Sequence, residues 1–66
     1  MSNEHPPGWI PAPAGWRWTG YAYDHPRGTV WYDSTDQCWV ASTDDGEYTT
    51  VAVDPNDGIT WIEEGT

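Results

Sequence analysis

The sequence predicts an all-β fold: a small antiparallel meander or partly closed barrel of four to five strands, preceded by an extended Pro-rich arm. Three observations predict it. Turn residues recur every 8–12 or so positions, the spacing of small sandwiches and barrels. The segments between them alternate in polarity or are rich in Val, Thr, Trp and Tyr, which suit a pleated, half-buried surface. Helix formers are scarce, with no Leu and no Lys in the chain.

The elements follow in order. Residues 1–15 carry Pro6, Pro7, Pro11 and Pro13. Proline removes a donor and fixes φ, so this segment reads as a polyproline-like arm, neither helix nor inner strand. Trp9 and Ile10 lie between the prolines and are expected to pin the arm to the domain formed by residues 16–66 or to a neighbouring subunit. Residues 16–24 alternate and predict a first strand, with Trp16, Trp18, Gly20 and Ala22 on one face and Arg17, Thr19, Tyr21 and Tyr23 on the other. His25-Pro26-Arg27-Gly28 is a turn. Residues 29–33 and 38–43 predict two further strands around the turn Ser34–Gln37. Asp44-Asp45-Gly46 is a hairpin signal, because Asp tolerates positive φ and Gly adopts it without strain. Residues 47–53 predict a fourth strand. Asp54-Pro55-Asn56-Asp57-Gly58 reads as a turn with Pro at its second position, and residues 59–63, Ile-Thr-Trp-Ile-Glu, as a last strand.

Composition narrows the chemistry. A chain of 66 residues buries only about 60% of the surface its unfolded form exposes, so its stability is marginal. One cysteine, Cys38, excludes an internal disulfide. Six Trp and four Tyr stand where Leu and Phe are missing. Each ring buries about 150–250 Å², so several of them are expected to form the core, Trp39 and Trp61 first. Trp9, Trp16, Trp18 and Trp31 do not all fit inside so small a sheet. If the core falls short, burial against a partner remains, which predicts a homo-oligomer or a module docked on a larger assembly.

Eleven acids face two arginines, for a formal charge of −9. No basic stripe exists to hold nucleic acid directly or to draw the chain to an anionic membrane. The partner is expected to be a protein or a glycan. No stretch reaches the roughly 18 apolar residues of a membrane span. The N-terminus lacks the basic and apolar regions of a secretory signal, which predicts synthesis in the cytoplasm and leaves virion association open.

Catalytic and metal motifs are weak. His5, His25 and Cys38 lack the paired spacing of a zinc site. The run from Asp54 to Gly58 puts Gly one place early for an EF-hand loop. Cys38, beside Trp39 in an acidic chain, reads as a buried and inert thiol. The seven glycines are scattered over turns and form no phosphate loop. No enzyme activity, metal or cofactor is expected. The stronger signal is aromatic: Trp16, Trp18 and Trp31 with Tyr21 and Tyr23 are the candidate residues for a ligand platform. An alternative candidate is an acidic edge of Asp33, Asp36, Asp44, Asp45, Glu47, Asp54 and Asp57, most of them in turns.

Over residues 28–65 the order Gly28-x-Val30-x-Tyr32-Asp33, Trp39-Val40-Ala41, Asp45-Gly46, Asp54-Pro55, Trp61 and Gly65 resembles the small chitin-binding-type carbohydrate-binding modules, including those on phage tail and fibre proteins. Thr29 stands where that family carries Asp, and no tryptophan pair follows Ala41. The resemblance implies a compact sheet of three to five strands and a non-enzymatic binding or decoration role. Tyr32–Asp36 and Thr43–Tyr48 are similar to stretches of the acidic phage inhibitors of uracil-DNA glycosylase, which implies a second role, an inhibitor that mimics nucleic acid. A third reading is a structural virion protein whose aromatics are all core or subunit interface.

Overall fold

The computed structural model describes residues 5–64. They form β1 (Arg17–Trp18), β2 (Ala22–His25), β3 (Gly28–Asp33), β4 (Cys38–Thr43), β5 (Thr49–Ala52) and α1 (Pro55–Glu63). The strands make one sheet in the order β1-β2-β3-β4-β5, each antiparallel to the next. This is the predicted meander, with an open sheet rather than a closed barrel. Each connection joins adjacent strands, so local turn chemistry is enough to set the order.

Residues directly opposite each other in an antiparallel pair share a face. One row therefore runs Trp18–Tyr23–Val30–Ala41–Thr50 across the sheet, and a second runs Tyr32–Trp39–Ala52. These form the inner face. With Trp16, Ile59 and Ile62, its members Tyr23, Val30, Trp39, Ala41 and Ala52 are the buried core. The arm and α1 cover this face together.

Two of the expected elements differ. The first strand does not run through residues 16–24. The Thr19 N–H bonds the Ala22 carbonyl at 2.9 Å, and the Thr19 hydroxyl accepts from the Tyr21 and Ala22 amides. Gly20 sits at φ +105°, in the region that favours glycine. A tight turn thus replaces the strand centre, so Trp18 faces Tyr23 across a hairpin instead of lying on the opposite side.

The expected last strand at 59–63 is instead the body of α1, and the expected turn at 54–58 is its start. Asp54 is the N-cap and its carboxylate accepts from the Asp57 N–H at 2.8 Å. Pro55 opens the helix, where its missing N–H costs nothing. Asp-Pro begins a turn and a helix equally well, so the local signal was ambiguous. Packing decides it. Ile59 and Ile62 are both buried; three residues apart, they share a helix face but would point to opposite faces of a strand. Gly58 brings the helix close to the sheet, since a Cβ there would lie 3.1 Å from Val30 and 3.3 Å from Ala41.

Gly28 is the tightest point. A Cβ built on it would stand 2.5 Å from the Ser42 carbonyl oxygen and 2.7 Å from Ile62 Cδ1. Gly28→Ala is expected to cost about 1–3 kcal/mol by overpacking, read as a lower midpoint in urea unfolding. Asp54→Ala is expected to cost about 1 kcal/mol by loss of the cap, a fall of about 4–8 °C in Tm for a domain of this size.

Candidate functional site

The two faces of the sheet differ in how their aromatic side chains are used. On the inner face the rings form a connected series. Trp18 packs on Tyr23 at 4.8 Å, Tyr23 on Trp39 at 5.8 Å and Trp39 on Tyr32 at 5.3 Å between centroids. The arm joins it through Trp9, which lies 6.0 Å from Trp18 and stacks on His5 at 3.7 Å. Such offset and edge contacts contribute about 0.5–1.5 kcal/mol each beyond area burial.

A buried Tyr or Trp needs a partner for its polar atom. The arm and helix supply them. The Tyr23 hydroxyl donates to the Ile10 carbonyl and accepts from the Ile10 N–H. Trp39 Nε1 donates to the Pro7 carbonyl at 2.9 Å, and Trp16 Nε1 to Glu63 Oε2 at 2.9 Å. Trp9 Nε1 is buried without a hydrogen-bond partner among the described residues.

Trp16 is 7% exposed and Tyr23 0% exposed, so both lie in the core with their polar atoms engaged. Trp18 is half-buried under the arm. Tyr21 is 86% exposed in the turn before β2. Trp31 lies on the other side of the sheet. The five proposed platform residues are thus not brought together on one surface.

Trp31 instead belongs to an outer row. Ala22, Trp31, Val40 and Val51 are successive partners across β2, β3, β4 and β5. Val51 is 68% exposed, and Ala22, Trp31 and Val40 are half-buried. Among the described residues, α1 and the arm pack on the inner rows, through Trp9, Ile10, Ala12, Ile59 and Ile62, and not on this face. A polar row, Arg17–Asp24–Thr29–Ser42–Thr49, borders it on one side, and the pair Asp33–Cys38 on the other. Strand alternation in the sequence carried this row, but that it is the outer one depends on the burial of Tyr23, Val30, Trp39 and Ala41 on the opposite face, which no periodicity revealed.

The acidic residues divide between the two ends of the sheet. Asp33, the last residue of β3, and Asp36, in the β3–β4 turn, lie at the end where β5 leads into Asp54 and Asp57. Asp44, Asp45 and Glu47 occupy the opposite end, between β4 and β5. Several hold turns. Asp33 Oδ1 accepts from the Thr35 and Asp36 amides, Asp45 Oδ1 from the Glu47 amide and the Thr43 hydroxyl, and Asp57 Oδ2 from the Val53 amide. The bond from Glu47 first, then that from Thr43, lowers the Asp45 carboxyl below its ordinary 3.8. Such Asx contacts are what acids do in turns whatever the function.

Cys38 is half-buried at the start of β4, not enclosed as expected. Desolvation, then the charges of Asp33 and Asp36, push its thiol above the ordinary 9.0. Among the described residues no three His, Cys, Asp or Glu side chains are placed to hold a metal ion, and no helix is long and apolar enough to cross a membrane. No family model, curated protein or solved structure matches the chain.

Burial raises the Tyr23 phenol above its ordinary 10.0, opposed by the weaker effect of its bond to Ile10. The neutral form is favoured in the folded state, so this contribution is complete below 10.0 and is lost as pH rises through the folded value. Alkaline unfolding is expected above that point, with the Tyr23 share of absorbance appearing only as the fold opens. Tyr23→Phe is expected to cost about 1–3 kcal/mol by leaving Ile10 N–H and C=O unpaired, measured by thermal melting. Cys38 is expected to alkylate slowly at neutral pH with a rate that climbs beyond 9.0, followed by iodoacetamide labelling.

Proposed function

We propose that this chain is a non-enzymatic interaction module that docks on a larger protein assembly through the open face of its sheet, with Trp31 at the centre of the contact. The observation that carries this reading is the row Ala22–Trp31–Val40–Val51, apolar across four strands, on the face opposite the one that the described arm and helix residues pack against. A contact of this form has an apolar centre and a polar rim. Trp is one of the side chains enriched at the anchoring positions of such a centre. The polar row through Asp24, Thr29 and Ser42 and the pair Asp33–Cys38 would make the rim. The resemblance of residues 28–65 to modules of phage tail and fibre proteins makes a virion surface the first assembly to test.

A glycan platform has less support, because the tryptophans and tyrosines named for it fall on different surfaces. Nucleic-acid mimicry also has less support, because the acids separate to opposite ends of the sheet and several hold turn amides.

Site-specific photo-crosslinking tests the reading. A benzoylphenylalanine placed at Trp31 or Val51 is expected to capture the same discrete protein from the source cells or their particles. The same probe at Asn56, on the exposed side of α1, is expected to capture none. Capture from all three positions, from none, or of the chain itself alone would overturn the reading, and a glycan-array signal lost in Trp31→Ala would replace it with sugar binding.

A further inference from the structure

The sheet has two edges, and they are unequal. β1 is two residues long and follows the prolines of the arm, so it offers little to pair with. β5 is four residues long and, among the described residues, pairs with β4 alone. The run 48–53, Tyr-Thr-Thr-Val-Ala-Val, contains no charge, no Pro and no Gly. Natural edge strands usually carry such guards. Tyr48 at 55%, Val51 at 68% and Val53 at 87% exposure all lie on or beside it.

The direction of its backbone groups follows from the hairpin. The Thr43 N–H bonds the Tyr48 carbonyl at 2.9 Å, which makes these residues a hydrogen-bonded pair. Alternation along the ladder then makes Ala41–Thr50 and Trp39–Ala52 hydrogen-bonded pairs, and Ser42–Thr49 and Val40–Val51 the intervening ones. Thr49 and Val51 therefore turn their N–H and C=O away from β4, to the open edge. The next N–H in that series, Val53, is taken by Asp57 Oδ2 at 3.4 Å, which ends the free stretch at the helix.

Charge selects what can pair there. A second copy would satisfy these groups by placing Thr49 opposite the other copy's Val51 about a two-fold axis at Thr50. Glu47 of one copy and Asp54 of the other would then fall within one residue step at each end of the paired strands. Like charges so placed destabilise a cross-strand pairing, and each copy carries −9. An incoming strand with cations at both ends meets the opposite situation.

We propose that β5 is a docking edge that receives, as an added strand, an extended segment of a partner protein with a β-branched or aromatic core flanked at both ends by Lys or Arg. Main-chain bonds to Thr49 and Val51 provide the pairing, and Glu47 and Asp54 select the flanks, the usual division between affinity and specificity in strand addition. The added strand lengthens the outer apolar row beyond Val51. The inference rests on the interaction-module reading and supplies the chemistry of the partner.

The test uses the full chain and two blocked synthetic peptides, each alternating Val and Thr, one ending in Lys pairs and the other in Glu pairs. The Lys-ended peptide is expected to bind, to slow amide exchange at Thr49 and Val51 about tenfold or more, and to weaken as salt rises from roughly 0.01 M to roughly 1 M. The Glu-ended peptide is expected to bind at least about tenfold less tightly, and Glu47→Lys to narrow or invert that preference. A chemically synthesised chain with an ester in place of the Val51 amide N–H keeps every side chain and is expected to lose binding. Equal binding of both peptides, binding of neither, or unchanged binding by the ester chain would overturn the proposal. So would a peptide-free dimer in sedimentation with Thr49 and Val51 protected, which would assign the edge to a second copy. If the peptides fail while crosslinking from Trp31 still captures its protein, only the edge assignment falls and the open-face reading stands.

Discussion

The reciprocal bond between the Tyr23 hydroxyl and the backbone of Ile10 is the contact on which the inner half of this molecule depends. A chain without Leu or Phe has to build its core largely from Trp and Tyr. Each of those rings carries a polar atom that is costly to bury unpaired. The sheet cannot supply the partners, because its backbone groups already bond to neighbouring strands. They come from outside it: Ile10 and Pro7 in the arm, Glu63 at the end of α1. The arm is therefore part of the core, and its prolines help by leaving carbonyls free with no N–H of their own to satisfy.

This arrangement makes the molecule one-sided. The arm and one nine-residue helix are all the covering material the described chain has, and the buried ring atoms draw both to the same face. The close approach allowed by Gly28 and Gly58 seats the helix over Gly28, Val30 and Ala41. The opposite face keeps its apolar row and β5 keeps its free edge. Core construction and exposed surface thus have one cause. The interaction-module reading follows from that cause more directly than from aromatic content as such.

Legibility in the sequence was uneven, for identifiable reasons. The turns at 25–28, 34–37 and 44–46 and the strands between them were readable, because Pro, Gly and Asp act through local φ preference. Trp39 was readable as core from its place amid Val40 and Ala41. The turn at 19–21 was not, since Trp-Thr-Gly-Tyr-Ala continues an alternating pattern and only hydrogen bonds to Thr19 and Ala22 break it. The helix was not, because Ile-Thr-Trp-Ile favours a strand by composition. The candidate platform scattered for the same reason: moving one turn changed which aromatics share a face.

The sequence alone determined a small antiparallel β-sheet, its strand order from β2 onward, and a formal charge of −9. These follow from alternation, turn chemistry and composition, which act within a few residues. Only the tertiary structure decided that residues 55–63 are helical, that the arm enters the core, and that Trp31 stands apart from Trp16 and Tyr23. Those outcomes depend on which side of the sheet can bury Ile59 with Ile62 and pair the polar atoms of Trp16, Tyr23 and Trp39. That choice is settled by contacts between residues 13 to 47 positions apart, beyond the range of any local pattern.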